Sequence, residues 1–260
     1  LWMSKSADLV NFDLGDGLDD ESIDFAILSD QVNAVRAVFS GRHLQVFTSG
    51  AEWMVTGDPL TPGNVQFNRQ TRIGSPVTRT IPPRNVDGAT LFIPRDGSGL
   101  REFLFADIEQ AYQANDLTTL AKHLINSSVD QDYNGTTRML HVVMGDGSIS
   151  TVTIFRSEKV TAWTRQETQG SFRSIAIADD VTYVMIERDG GWFLEKFDES
   201  FDADATLSGT SETSSTTWSG LDHLEGETLT VLADGAVHAD CVVGGGAIEL
   251  VSDASNIVAG

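Results

Sequence analysis

The sequence is 260 residues long and 40% hydrophobic, with 38 acidic against 17 basic residues and a formal charge of -21. That balance argues against a sequence-specific nucleic-acid reader or a binder of anionic membranes, because phosphate binding needs Lys and Arg to displace counterions. No stretch approaches the ~20 apolar residues of a membrane-spanning helix, and Cys241, the single cysteine, leaves no intramolecular disulfide and no Cys-based zinc framework.

The 24 glycines cluster between short apolar runs, the composition of a turn-rich β protein. Leu1–Phe12 reads as a strand and a loop, followed by an acidic loop, Asp13 to Ser22. Ile23–Leu28 and Val32–Phe39 read as strands. Leu44–Phe47 and Glu52–Val55 flank the turn-prone Thr48-Ser-Gly-Ala51 and predict a hairpin. Pro59 and Pro62 forbid a central strand between Asp58 and Gly63, Val65–Arg72 alternates as a strand does, and Ile81-Pro-Pro breaks the chain again. Ala89–Pro94 and Leu100–Phe105 predict a second hairpin around Arg95-Asp-Gly-Ser-Gly99.

Leu117, Leu120, Ala121, Leu124 and Ile125 fall at helical spacing, with Asp116 placed to cap the first turn, so a short helical insertion is expected over about residues 108–127. From Arg138 the β pattern returns. Met139–Met144, Ile149–Phe155 and Val160–Glu167 form one group, and Phe172–Ala178, Val181–Glu187 and Trp192–Phe197 a second. Units of about 30 residues with three or four strands are the plan of propeller blades, although no fixed motif marks each one. The predicted architecture is therefore mainly β, with propeller-like antiparallel blades over residues 1–200. The Ser/Thr/Asp-rich stretch 201–217 reads as a linker or long surface loop. Residues 218–260, with strands at Thr228–Leu232, Val237–Val242 and Ala247–Val251, read as a partial small β-barrel, too short to fold alone. Strand-like text at Leu1 and the lack of a closing element at Gly260 read as a piece of a longer polypeptide, and no signal-peptide pattern is seen.

Candidate chemistry is sparse. His43, His123, His141, His223 and His238 are scattered without metal-ligand spacing, and packed or rim histidines are the expected outcome. Ser49 and Ser219 each precede Gly but lack the nucleophile-elbow context. No phosphate-cradling glycine loop is present, and Gly244-Gly-Gly246 reads as a flexible turn between strands. Asp13, Asp16, Asp19, Asp20 and Glu21 are oxygen ligands of the type calcium takes, as are Asp202 and Asp204, but their order does not match a helix–loop–helix site and a solvated acidic loop is the commoner meaning. No carboxylate pair can be singled out for glycoside hydrolysis, and Ser215-Thr-Thr-Trp-Ser-Gly220 matches only the end of a sialidase-type turn. Trp53, Trp163, Trp192 and Trp218 stand in or beside strands, where packing is a commoner role than sugar stacking. Cys241 reads as a small buried apolar residue. No catalytic, cofactor-binding or metal-binding residue is assigned, and no cofactor is expected.

Several pieces together resemble the nozzle proteins of short-tailed bacteriophages, the tail tubular protein B family. They are Leu1-Trp-Met-Ser-Lys-Ser-Ala-Asp-Leu-Val-Asn-Phe12, Gln31-Val-Asn-Ala-Val35, Leu44-Gln-Val-Phe-Thr-Ser-Gly-Ala-Glu-Trp53, Leu60-Thr-Pro62, Arg101-Glu-Phe-Leu-Phe105 and Tyr112 to Leu124. They run in order over about residues 1–200. Thr217 to Val231 is similar to a small β-barrel segment found late in some phage tail proteins. The resemblance implies a non-enzymatic, propeller-like virion protein, made in the host cytoplasm. It would assemble with sister subunits, as a homo-hexamer, and with neighbouring tail proteins into the conduit for genome ejection. An acidic surface suits a wall that DNA passes without sticking. The alternatives are a receptor- or glycan-binding module on the virion and a propeller hydrolase.

Overall fold

The computed structural model describes every residue except Leu28, Asp30, Gln31, Val32, Asp189 and Asp202. The last residue of the expected strand Ile23–Leu28 and the first of Val32–Phe39 therefore lie outside the described residues. So do Gln31-Val32 of the phage-like text, Asp189 of the expected 189–191 turn, and Asp202 of the second acidic pair. The chain is mainly β and divides into two compact units, Leu1–Lys196 and Phe197–Gly260.

In the first unit, β1 (Trp2–Met3) and β2 (Ile23–Asp24) form a two-stranded antiparallel sheet. Three four-stranded antiparallel sheets follow, each made of consecutive strands. The first contains β3 (Val35–Ser40), β4 (Leu44–Thr48), β5 (Glu52–Thr56) and β6 (Gln66–Thr71). The second contains β7 (Arg84–Val86), β8 (Ala89–Phe92), β9 (Arg101–Ala106) and β10 (Ala111–Asp116). The third contains β11 (Ser128–Asn134), β12 (Met139–Met144), β13 (Ile149–Phe155) and β14 (Val160–Gln166). A three-stranded sheet, β15 (Ser171–Ala178), β16 (Val181–Arg188) and β17 (Gly191–Lys196), completes the unit.

Apolar side chains pack between successive sheets. Phe47 and Met54 of the first meet Phe92, Phe103 and Tyr112 of the second. Leu91 and Val86 meet Leu140, Val142 and Val152 of the third. Val143 and Ile149 meet Phe172, Ile175, Val184 and Ile186 of the three-stranded sheet. Strands buried on both faces lose the apolar/polar alternation, which is why Gln45–Thr48 and Glu52–Val55 are buried without a break.

One hydrogen bond recurs along the series. The tip of each central hairpin offers a carbonyl to the backbone entering the next sheet. Thr48 O accepts from Ser75 N at 2.8 Å, Gly97 O from Ser128 N at 3.1 Å and Gly147 O from Phe172 N at 2.9 Å. The close approach is tight at Gly74, where φ is +76° and a Cβ would lie 2.4 Å from the Ser49 carbonyl oxygen. Side chains add a second link. Asp130 and Asp132 of β11 accept the N–H groups of Ile175 and Ile177 on the edge strand β15, at 3.1 and 2.8 Å. Asp132 also holds Arg84 of β7 at 2.6 Å. Backbone donors left out of a ladder are thereby satisfied.

The expected helix over 108–127 is not formed. Residues 111–116 are β10, paired with β9 in register Asp116↔Arg101, and only Lys122–Leu124 makes a single 3₁₀ turn. Thr118 N donates to Asp116 Oδ1 at 2.8 Å, so the aspartate closes a local turn rather than capping a helix. The bonds from Ala121 N to Thr118 O and from Leu124 N to Ala121 O span three residues. The apolar set is split: Ala121 and Ile125 are buried, while Leu120 is 96% exposed. Strands β7, β10 and β11 go beyond the expected elements, and Ile23–Leu28 shrinks to Ile23–Asp24 among the described residues.

The second unit corrects the expected linker: β18 (Leu207–Ser219) is a 13-residue strand. It is followed by β19 (Thr228–Leu229), β20 (Val231–Ala233), β21 (Ala236–Val237), β22 (Cys241–Val242) and β23 (Ala247–Ala259). The sheet order is β18-β23-β20-β21, with β19 and β22 as a separate pair. Polar β18 earns its place by pairing along β23, from Leu207↔Ala259 to Ser219↔Ala247. It delivers Trp218 to a core of Leu221, Leu229, Val231, Ile248, Leu250 and Ile257. The Gly244–Gly246 turn is pinned: Glu225 accepts Gly245 N at 2.9 Å and Gly246 N at 2.7 Å. A Cβ on Gly246 would collide with Asp222 at 2.3 Å.

Candidate interaction surface

The first and last sheets of the first unit end differently. The free face of the first four-stranded sheet is covered. Val46, Trp53 and Val55 pack with Leu1, Met3 and Ile27, and Phe25 stacks on Phe67 at 4.3 Å. The three-stranded sheet has one buried face, carrying Phe172, Ile175, Val184 and Ile186. Its opposite face follows from the register. Ser174, Met185 and Leu194 form one row, Ala176, Tyr183 and Lys196 another, with Val181 opposite Ala178 and Trp192 opposite Glu187. No side chain on this face is buried; Trp192 is 61% and Leu194 68% exposed. Lys196 and Glu187 are the charged residues on these rows, and Glu187 pairs with Arg173 at 2.6 Å. β17 is also an edge strand, in a sheet one strand smaller than its three predecessors. An apolar sheet face beside an open edge is a surface built for contact. Trp192 and Leu194 together present on the order of 250 Å² of apolar area, worth roughly 6 kcal/mol when covered, before ordering costs.

The residues singled out in the sequence occupy separate places. Trp53 and Trp218 are buried, and their indole N–H groups donate to Thr48 Oγ1 at 3.3 Å and Ser215 O at 3.1 Å. Trp163 is half-buried and donates to Leu117 O at 3.1 Å. Trp192 lies on the open face.

His141 is buried, with Nδ1 2.7 Å from Thr151 Oγ1, which itself donates to Gln166 Oε1 at 2.8 Å. That chain puts the imidazole proton on Nδ1. Burial lowers its pKa to about 4, against a smaller opposing pull from Asp132. His43 meets Phe105 at a tilt and Tyr112 edge-on, with ring centroids 5.0 and 5.9 Å away, and burial, then Arg42, lower its pKa. His123 is exposed on the 3₁₀ turn. His223 lies 3.1 Å from Ala205 O. His238 accepts Val251 N at Nε2, 3.0 Å away, with Nδ1 2.7 Å from Ala239 O. Cys241 is buried, and burial followed by nearby Asp240 raises its thiol pKa.

Ser49 is a buried hairpin-tip residue whose Oγ accepts Ala34 N at 3.2 Å. Ser219 ends β18. Two carboxylates of the acidic loop are used on its own backbone. Asp13 accepts Gly15 N at 3.1 Å, and Glu21 accepts Leu18 N at 2.8 Å, the bond that most lowers its pKa. Asp204 sits in a turn ahead of β18. Among the described residues, no three His, Cys, Asp or Glu side chains come together as metal ligands. Among the described residues, no helix is long and apolar enough to cross a membrane.

The open face could not be read from sequence, because Trp192-Phe-Leu194 looks like any strand. Only pairing shows that Trp192 and Leu194 lie opposite Phe193. Comparison of the chain with protein-family models and with curated proteins finds no match.

Proposed function

We propose that this chain is a structural subunit of a bacteriophage or prophage tail, a nozzle or tail-tube protein forming part of the conduit through which the genome leaves. The observation that carries the reading is the open face of the β15–β17 sheet, with Trp192 and Leu194 exposed on it, at the end of a series whose four-stranded sheets each pack apolar residues on both sides. A subunit that completes itself against neighbours needs such a face. Three consecutive four-stranded meanders, linked tip to next strand, follow the plan of propeller blades. The second unit fits a small barrel-like module. Sister subunits, six in the ring that the family resemblance implies, and adjoining tail proteins are the partners. The second unit carries no Lys or Arg, which favours a wall that does not hold DNA. The assignment is structural rather than enzymatic, and the location is the virion tail.

The test is electron microscopy of phage particles labelled with a gold-conjugated antibody to the chain. Label at the tail end distal to the capsid supports the proposal, and particles without label contradict it. A glycan-binding module is the second reading, favoured by the exposed Trp192. It predicts label on side fibres and loss of adsorption in Trp192→Ala.

A further inference from the structure

The second four-stranded sheet carries a feature that assembly does not need. A cleft of about 560 Å³ opens at the end where the β8–β9 hairpin tip, the end of β10 and the 3₁₀ turn meet. Arg95, Arg101 and Lys122 line it together with Asp96 and Asp116. Three cations against two carboxylates give the cleft a net positive balance, in a chain of formal charge -21.

The carboxylates are already committed to their own turns. Asp96 accepts Ser98 N at 3.2 Å and Ser98 Oγ at 2.6 Å, bonds that hold its carboxyl below the usual range. Asp116 accepts Thr118 N and the Thr118 hydroxyl. Burial pushes the Asp116 carboxyl up, but these bonds and the nearby Arg101 and Lys122 outweigh it, so it stays ionised and stays in place.

The cations are under-used by comparison. Among the described residues, Arg101 has one loose ion pair, Nη2 to Asp116 at 3.5 Å, and its buried Nε has no acceptor. Arg95 and Lys122 are exposed and make no ion pair among the described residues. A partly buried guanidinium flanked by an exposed guanidinium and an exposed ammonium matches the oxygens of a tetrahedral oxyanion. The cleft volume falls in the range of small-molecule sites, well above that of a free ion.

We propose that this cleft binds the phosphate group of a small phosphomonoester, with Arg101 as the fixed contact and Arg95 and Lys122 as flexible partners. The surrounding negative field disfavours a long polyanion and leaves room for one phosphate. The inference does not depend on the tail assignment.

The test is isothermal titration of the whole chain at low ionic strength with inorganic phosphate, AMP and adenosine. The expected result is saturable binding of phosphate and AMP, with a Kd of about 1 mM or tighter, and none of adenosine. Lys122→Met, at an exposed position without a packing role, weakens AMP binding about tenfold. Arg101→Met weakens it further, while Arg165→Met, away from the cleft, leaves it unchanged. Added salt weakens binding, because two of the cations are exposed. Absence of AMP binding up to about 10 mM overturns the proposal. So does binding that both Lys122→Met and Arg101→Met leave intact, or binding of a short oligodeoxynucleotide without binding of AMP.

Discussion

Replacing His141 with Gln should remove a defined part of the protein's acid sensitivity. The folded state keeps this imidazole neutral, since it is 6% exposed between sheets and takes a proton only near pH 4. The unfolded chain takes that proton near 6.5, the ordinary value. Above 6.5 both states are neutral and the residue has no pH effect. As pH falls below 6.5 the unfolded state binds the proton first, so stability drops, and the loss is complete once pH passes the folded value. Between about pH 7 and about pH 5 the linkage relation gives a loss of about 2 kcal/mol from this one group, and about 3 kcal/mol by pH 4. A Gln at this position has an amide that can donate to Thr151 Oγ1 and does not titrate. The assay is urea unfolding of the native chain and of His141→Gln at both pH values, followed by tryptophan fluorescence. The stability difference between the two proteins should shift by about 2 kcal/mol in favour of the variant at the lower pH. Parallel pH dependence in the two proteins would refute a buried, neutral His141.

Other substitutions probe separate links. Gly74→Ala forces a Cβ to 2.4 Å from a backbone oxygen at a φ of +76°; urea unfolding should show a loss of about 3 kcal/mol, and a neutral result would refute the close approach. Glu52 is fully buried with Oε1 unpartnered among the described residues, and burial raises its pKa although Thr71 and Ile73 donate to Oε2. The folded state therefore binds this proton more tightly than the unfolded chain does, and the group's stabilisation fades as pH rises from the ordinary carboxylate value through the raised one. Glu52→Gln should raise the unfolding temperature at neutral pH and flatten that part of the profile. Asp132→Ala strands Arg84 and the Ile177 N–H together, for a loss of about 3 kcal/mol by urea unfolding. Trp192→Ser with Leu194→Ser should leave monomer stability within about 0.5 kcal/mol. The same pair should abolish incorporation into tails, measured by blotting purified particles.

Strong local patterns survived the step from sequence to structure. The hairpins at Leu44–Val55 and Ala89–Phe105 and the strands from Met139 to Lys196 were legible, because apolar runs bounded by glycine turns admit few other structures. The missed strands are polar ones. β11 reads Ser-Val-Asp-Gln-Asp-Tyr-Asn, and its Asp130, Gln131 and Asp132 are partnered by distant backbone or Arg84, which no local pattern reveals. β18 is Ser/Thr-rich because most of it faces water, and it becomes a strand by pairing with β23, whose partner residues lie far along the chain, from Ser219↔Ala247 to Leu207↔Ala259. The helix over 108–127 failed because helical spacing of apolar residues also fits a strand end and a 3₁₀ turn, and Thr118 and Thr119 resist helix.

A short textual repeat was present but unread. Asp96-Gly-Ser98, Asp116-Leu-Thr118, Asp146-Gly-Ser148 and Asp198-Glu-Ser200 each turn the chain by donating the third residue's N–H to the aspartate. The open face and the cationic cleft were illegible for a shared reason. Each gathers residues through strand pairing, and neither leaves a spacing in the text.

The most direct test of the tail-subunit account is a cryo-electron reconstruction of intact tails from a phage encoding this chain. The account predicts a ring of copies at the capsid-distal end, with the outer face of the β15–β17 sheet, Trp192 and Leu194 included, buried against a neighbour. Density for the chain that is absent from the tail, or a tail subunit with that face open to solvent, would contradict it.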